Sequence, residues 1–192
     1  MKTFIVLLVV TMPTKDRRKS VTRENSGKVI LIKKNIMIKI KYVKGDATAP
    51  QGKGNKVITH ICNDIGGWGA GFVLALSKKW YSPEAVFRAS FQIRHNSTLG
   101  DIQVSSVEPD ITVINMIAQS GTMNHPKDAK VPPIRYEALE KCLKQVDTFC
   151  KANNATLHAP RFGAGLAGGD WNKIEKIIES TMSVPVTIYD FN

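Results

Sequence analysis

Four glycines and two alanines fill six of the seven positions from Gly163 to Gly169. They follow a strand-like segment, Ala155 to Ala159, and precede a helical pattern that opens at Trp171. A stretch so poor in side chains, placed between a strand and a helix, lines up backbone N–H groups beside a helix N-terminus, where the helix dipole favours anions and above all phosphate. A turn that needed small residues for packing is the alternative, and one glycine-rich loop does not separate the two.

The same succession occurs earlier in the chain. Lys56 to Ile61 (KVITHI) reads as a buried strand, Cys62 to Gly71 (CNDIGGWGAG) as a glycine loop, and Phe72 to Trp80 has the apolar spacing of a buried helix. Before this unit, Met37 to Gly45 alternates apolar and polar residues as a half-buried strand does. After it, Pro83 opens a helix to about Arg94, and two further strands span Asp101 to Val107 and Ile111 to Ala118. Gln119 to Val131 is a polar loop long enough to face a substrate, and it holds His125. Pro132 to Lys151 reads as a long amphipathic helix with Ile134, Leu139, Leu143 and Val146 inward. A helix from Trp171 to Met182 and a strand from Val184 to Phe191 finish the chain. This alternation predicts an α/β fold, a three-layer α/β/α sandwich around a central mixed β-sheet.

Charge and cysteine content narrow the function classes. The formal charge of +11 is concentrated at the start: residues 1–36 hold nine Lys or Arg against Asp16 and Glu24, a net of +7, so 37–192 carries 18 basic and 14 acidic residues, a net of +4. A nucleic-acid-binding core is therefore not expected, although the basic stretch can touch an acidic surface. The expected organisation is a basic N-terminal extension, 1–36, followed by one domain, 37–192. The run Phe4 to Val10 after Lys2 has the outline of a short signal peptide, but no small-x-small cleavage site follows it, and Met37 is an alternative start. The run is too short to span a bilayer, and no membrane partner is expected. Cys62, Cys142 and Cys150 make an odd number with no ligand-type pairing, which points to no disulfide framework, no metal and no cofactor, and to a cytoplasmic location.

In an open α/β sheet, ligands bind beyond the carboxyl ends of the strands, so two strand–glycine-loop–helix units make a clamp for two phosphates. Neither loop is a GxxxxGK[ST] phosphate loop or a GxGxxG dinucleotide fingerprint. The residues point to a diphosphate ligand held by backbone amides.

Six segments in order then carry a resemblance: Gly45-Asp46, His60 to Phe72, Leu99 to Ile102, Asn115 to Gly121, Pro132 to Leu139 and His158 to Trp171. Together they resemble a macrodomain, the ADP-ribose-binding module, and most of all the microbial branch related to ADP-ribose 1''-phosphate phosphatases and terminal ADP-ribose protein glycohydrolases. The resemblance covers roughly Ile38 to Phe191. It implies binding of ADP-ribose or a derivative, with ADP-ribosylated protein as a further partner, and hydrolysis of a group from the distal ribose. A non-catalytic ADP-ribose reader is the alternative, and oligomeric state stays open.

The resemblance also assigns residues. Asp46 matches the aspartate that accepts from the adenine amino group; a turn-capping aspartate is the other reading. Gly69, Ala70, Gly71 and Phe72 match the first diphosphate loop, and Gly163, Ala164, Gly165 and Leu166 match the second. Asn63 matches the asparagine that addresses the distal ribose, a role compatible with an Asx turn holding its loop. Ala47, Cys62, Trp68 and Gln119 complete the expected binding set. Some relatives use a lysine at the end of the central strand and an aspartate in the second loop. Gln119 stands at the lysine position and the aspartate position falls near Ala167, so a lysine-adduct mechanism is not expected, because a glutamine cannot form a Schiff base. The expected catalytic set is Asn63, Asp64 and Asp170, the carboxylates orienting or deprotonating a water. Asp170 is also placed to cap the following helix. His60 and His158 read as core histidines, and His125 stands in the polar loop.

Overall fold

A computed structural model describes residues 40–94, 98–128 and 130–191. The basic extension expected over 1–36, and the first residues of the expected strand at 37–39, lie outside the described residues. Six strands and four helices follow in chain order: β1 (Lys41–Lys44), β2 (Asn55–Asn63), α1 (Phe72–Lys79), α2 (Ser82–Arg94), β3 (Ile102–Glu108), β4 (Ile111–Gln119), α3 (Tyr136–Ala152), β5 (Ala155–Pro160), α4 (Trp171–Thr181) and β6 (Val186–Asp190).

The strands form one sheet in the order β1-β6-β5-β2-β4-β3. Every neighbouring pair is parallel except β3 with β4, which is antiparallel, so the sheet is mixed. The central strands β2 and β4 are buried along almost their whole length, as expected where both faces are covered. Successive side chains on β4 go to opposite faces. Ile114, Met116 and Ala118 join a core with Leu139, Leu143 and Val146 of α3 and Ile174 and Ile178 of α4. Val113 and Ile117 join a second core with Val73 and Leu76 of α1 and Phe87 of α2. Helices thus cover both faces, giving the three-layer α/β/α sandwich.

Helix boundaries follow local chemistry. Pro83 sits in the first turn of α2, where its missing N–H leaves no intrahelical bond unmade. Asp170 caps α4, accepting a hydrogen bond from Asn172 N at 2.9 Å. Beyond α3, Asn154 adopts φ 48°, the left-handed conformation that ends helices.

Helix α3 begins at Tyr136, four residues later than the pattern suggested. A proline disfavours helical geometry in the residue before it, and the Pro132-Pro133 pair keeps the chain extended. Ile134 instead forms a β-bridge with Gln119 at the end of β4, and Arg135 is still extended at φ −121°, ψ 100°. Ile134 is buried as expected, but from the approach to the helix and not from the helix itself.

Candidate functional site

Strands β2, β4 and β5 run parallel and end together at Asn63, Gln119 and Pro160. A cleft of about 590 Å³ opens beyond these carboxyl ends, within the usual range of small-molecule sites. Its walls are the two glycine loops, and residues 122–125 of the polar loop border it as well.

The first loop is built around Asn63. A register shift between Cys62 and Asn63 brings Asn63 beside Gln119, and a bulge of this kind re-aims the chain at a strand end. The Asn63 side chain then closes the loop on itself: Oδ1 accepts from Ile65 N (3.2 Å) and Gly67 N (2.8 Å), and Nδ2 donates to Gly67 O (2.6 Å). Trp68 anchors the middle of the loop. Its ring packs on Phe87 at 5.3 Å between centroids, and its indole N–H donates to Ser77 Oγ, which donates to Glu84. Asn63 and Trp68 thus hold the loop's shape while both also line the cleft.

The second loop is closed by its own backbone, with Gly169 N donating to Gly163 O and Gly168 N to Gly165 O, each at 2.8 Å. Gly163 has φ +82°, and a Cβ there would stand 2.9 Å from Ile134 Cδ1. A Cβ on Gly169 would stand 2.6 Å from Gly163 O. These two glycines answer to backbone conformation and packing. The loops meet where Leu166 Cδ1 lies 3.3 Å from the Cβ position of Gly71. Gly69 and Gly165 differ from the others: a Cβ on either meets nothing within 4 Å, neither has a positive φ, and both border the cleft.

The cleft's ionisable side chains are His60, Cys62, His125 and Arg161, with no Asp, Glu or Lys among its described lining residues. Burial pushes the His60 ring down to about 4. Its Nε2 lies 2.8 Å from Asn115 Oδ1, whose amide nitrogen donates to Pro83 O, so Nε2 carries the hydrogen. Burial also pushes the Cys62 thiol well above its usual range, leaving it protonated and unreactive. The Arg161 guanidinium binds both oxygens of Asp190 and lies 4.8 Å from the Tyr42 ring centre and 5.0 Å from that of Trp171.

Of the carboxylates expected at the site, none is among the residues lining this cleft. Asp64 does not border the cleft: Oδ1 accepts from Gly121 N at 2.8 Å and Oδ2 pairs with Lys127 Nζ at 2.9 Å, which ties down the 121–127 turn. Asp170 is the cap of α4 and also lies outside the lining, as does Ala164. Asp46 is exposed, accepts from Thr48 N at 2.8 Å in an Asx turn, and borders a separate cleft of about 360 Å³ with Lys41, Lys44 and Tyr189. Ala47 is buried and borders neither. Cys62, Asn63, Trp68 to Phe72, Gln119, Gly163, Gly165 and Leu166 all line the main cleft.

Other lining residues were not expected. Arg161 and Phe162 stand in the opening turn of the second loop, and Ile65, Thr122, Met123 and Asn124 belong to the turns facing it. Only the length of the polar loop signalled the last three.

The fold and cleft can be set beside known proteins. No family model matches the chain. A solved structure of a macrodomain protein from Streptomyces coelicolor is 44% identical, with a TM-score of 0.69, over 80% of this chain and 100% of that one. The chain belongs to the macrodomain family. A solved Bacteroides thetaiotaomicron protein is 53% identical, with a TM-score of 0.76, over 80% of this macrodomain and 98% of that chain. Among curated proteins, an ADP-ribose 1''-phosphate phosphatase from Lodderomyces elongisporus is 25% identical over 158 residues, 78% of this chain and 97% of the yeast protein. The zebrafish chromodomain-helicase-DNA-binding protein 1-like is 27% identical over 158 residues, and this macrodomain spans only 15% of its length.

Proposed function

We propose that this macrodomain binds ADP-ribose in the main cleft and hydrolyses a phosphate, acyl or ester-linked protein group from its distal ribose. The observation that carries the reading is the pair Gly69 and Gly165, whose missing side chains no neighbour and no backbone strain require. A close approach of ligand to backbone accounts for both, and diphosphate oxygens are the ligand atoms that bare N–H groups accommodate. The likeness to a protein named ADP-ribose 1''-phosphate phosphatase supports the same chemistry.

A second reading, a non-catalytic reader, draws on Gln119 and Ala167 at positions where some relatives carry lysine and aspartate, and on carboxylates already engaged at Asp64 and Asp170. One preparation separates the two. Calorimetric titration with ADP-ribose is expected to show 1:1 binding. Incubation with ADP-ribose 1''-phosphate, O-acetyl-ADP-ribose and ADP-ribosylated protein is expected to show turnover of at least one. Binding without turnover of any of the three sinks the hydrolytic reading, and no binding sinks both.

A further inference from the structure

We propose that His125 is the residue that carries the proton in this cleft, acting on a neutral carboxylic ester of the distal ribose; the proposal rests on the hydrolytic reading. It begins from elimination among the described lining residues. His60 is enclosed and held by Asn115, Cys62 is a buried thiol, and Arg161 is bound to Asp190. That leaves His125, which is exposed, borders the cleft and makes no ring hydrogen bond among the described residues. Imidazole is the side chain suited to both accepting and returning a proton near neutrality.

The second observation is that the turn carrying His125 is fixed. Gly121 and Pro126 form a β-bridge, and Thr122 N and His125 N each bond to the other residue's carbonyl oxygen at 3.1 Å. Gly121, at φ +71°, leaves no room for a Cβ, which would stand 2.5 Å from His125 O. The buried Asp64 carboxylate holds both ends of this turn, through Gly121 N and Lys127 Nζ. Asp64 is thereby a positioning residue, acting through the turn and not on the substrate.

Among the groups already proposed, charge favours the ester as the one on which His125 acts. A phosphate monoester brings further negative charge beside the diphosphate, and Arg161, the one Lys or Arg among the described lining residues, is already paired with Asp190. A carboxylic ester brings none, and Ile65, Met123 and Leu166, each at least 40% exposed and bordering the cleft, offer an apolar surface to an acyl group.

In the step, the unprotonated imidazole takes a proton from water as the water oxygen bonds to the ester carbonyl carbon, and the C=O electron pair moves onto oxygen. When the tetrahedral adduct collapses, the carbonyl re-forms and the bond to the ribose oxygen breaks. The imidazolium then gives its proton to that oxygen. One water is consumed, a carboxylic acid and ADP-ribose leave, and His125 returns to its starting form.

The test uses the full chain and O-acetyl-ADP-ribose, with His125→Gln and His125→Ala compared to wild type in kcat, in calorimetric ADP-ribose affinity, and in turnover with added free imidazole. General acid–base groups contribute about 10²- to 10⁴-fold, so kcat is expected to fall at least a hundredfold in both variants with affinity within threefold. Imidazole should restore part of the rate in His125→Ala. Variants that keep kcat within threefold of wild type overturn the proposal alone, as does a parallel loss of affinity and rate without imidazole rescue. A wild-type protein that binds ADP-ribose and turns over none of the substrate panel overturns the hydrolytic reading and this proposal with it.

Discussion

Gly163 and Gly165 lie two residues apart in one loop, and alanine at each should do opposite things. At Gly163 the φ of +82° is left-handed, and a new Cβ would stand 2.9 Å from Ile134 Cδ1 and 3.0 Å from Ile174 Cδ1. The conformation costs an L-residue about 1 kcal/mol and the overpacking about 1–3 more, a total of roughly 2–4 kcal/mol. For a domain of this size that is a fall in Tm of roughly 4–16 °C. At Gly165 the φ is not positive and a Cβ meets nothing within 4 Å, so stability should stay within about 0.5 kcal/mol of wild type. The methyl would instead occupy the space of a bound ligand. If a phosphate packs against this backbone, the clash costs about 1–3 kcal/mol of binding, a loss of roughly 5- to 150-fold in affinity. Thermal unfolding read beside calorimetric titration with ADP-ribose measures both effects. A Gly165→Ala protein that binds ADP-ribose as tightly as wild type would refute the inference that ligand closes on the bare backbone. One that melts several degrees lower would refute the claim of open space.

Other substitutions test the remaining assignments. Asp170→Asn keeps a side-chain oxygen for Asn172 N, so turnover and Tm should both hold; a tenfold loss of kcat with Tm unchanged would restore a catalytic role. Asn63→Ala removes three hydrogen bonds that shape the first loop and should cost about 2–3 kcal/mol in urea unfolding, whereas Asn63→Asp, which keeps the accepting oxygen, should cost less. His60 and His158 are both pushed by burial to about 4. Below pH 6.5 the unfolded chain takes up protons that these folded rings refuse until about 4, so stability should fall as pH falls through that window. The expected loss at pH 4.5 is about 2–3 kcal/mol per histidine. Urea midpoints at pH 7 and 4.5 check it, and His158→Gln should make the fall shallower.

Much of the fold was legible because it rests on local chemistry. The run Ile111 to Ala118 announces a strand covered on both faces, Pro83 a helix start and Asp170 a helix cap, since each depends on residues within a turn or two. At Pro132-Pro133 two local signals compete: apolar spacing favours Ile134 on a helix, and the prolines place it on a bridge to Gln119 instead. The glycine loops were legible as a pair, but not which glycine serves which purpose. Gly163 and Gly165 look alike in sequence, and only Ile134 and Ile174, brought in from other elements, separate a packing glycine from one facing open space.

Residue order alone determined the alternation of strands and helices, the two glycine loops at strand ends and hence the edge at which a ligand site must lie, because periodicity and turn chemistry act over a few residues. Tertiary structure decided where the carboxylates went. Asp64 meets Gly121 and Lys127 across 57 and 63 positions, and Arg161 meets Asp190 across 29. A charge is engaged or free according to what the folded sheet carries to within 3 Å of it, and no local pattern encodes that distance. The same closures engage Asp64 with Gly121 and Lys127 and leave the exposed His125 at the border of the cleft.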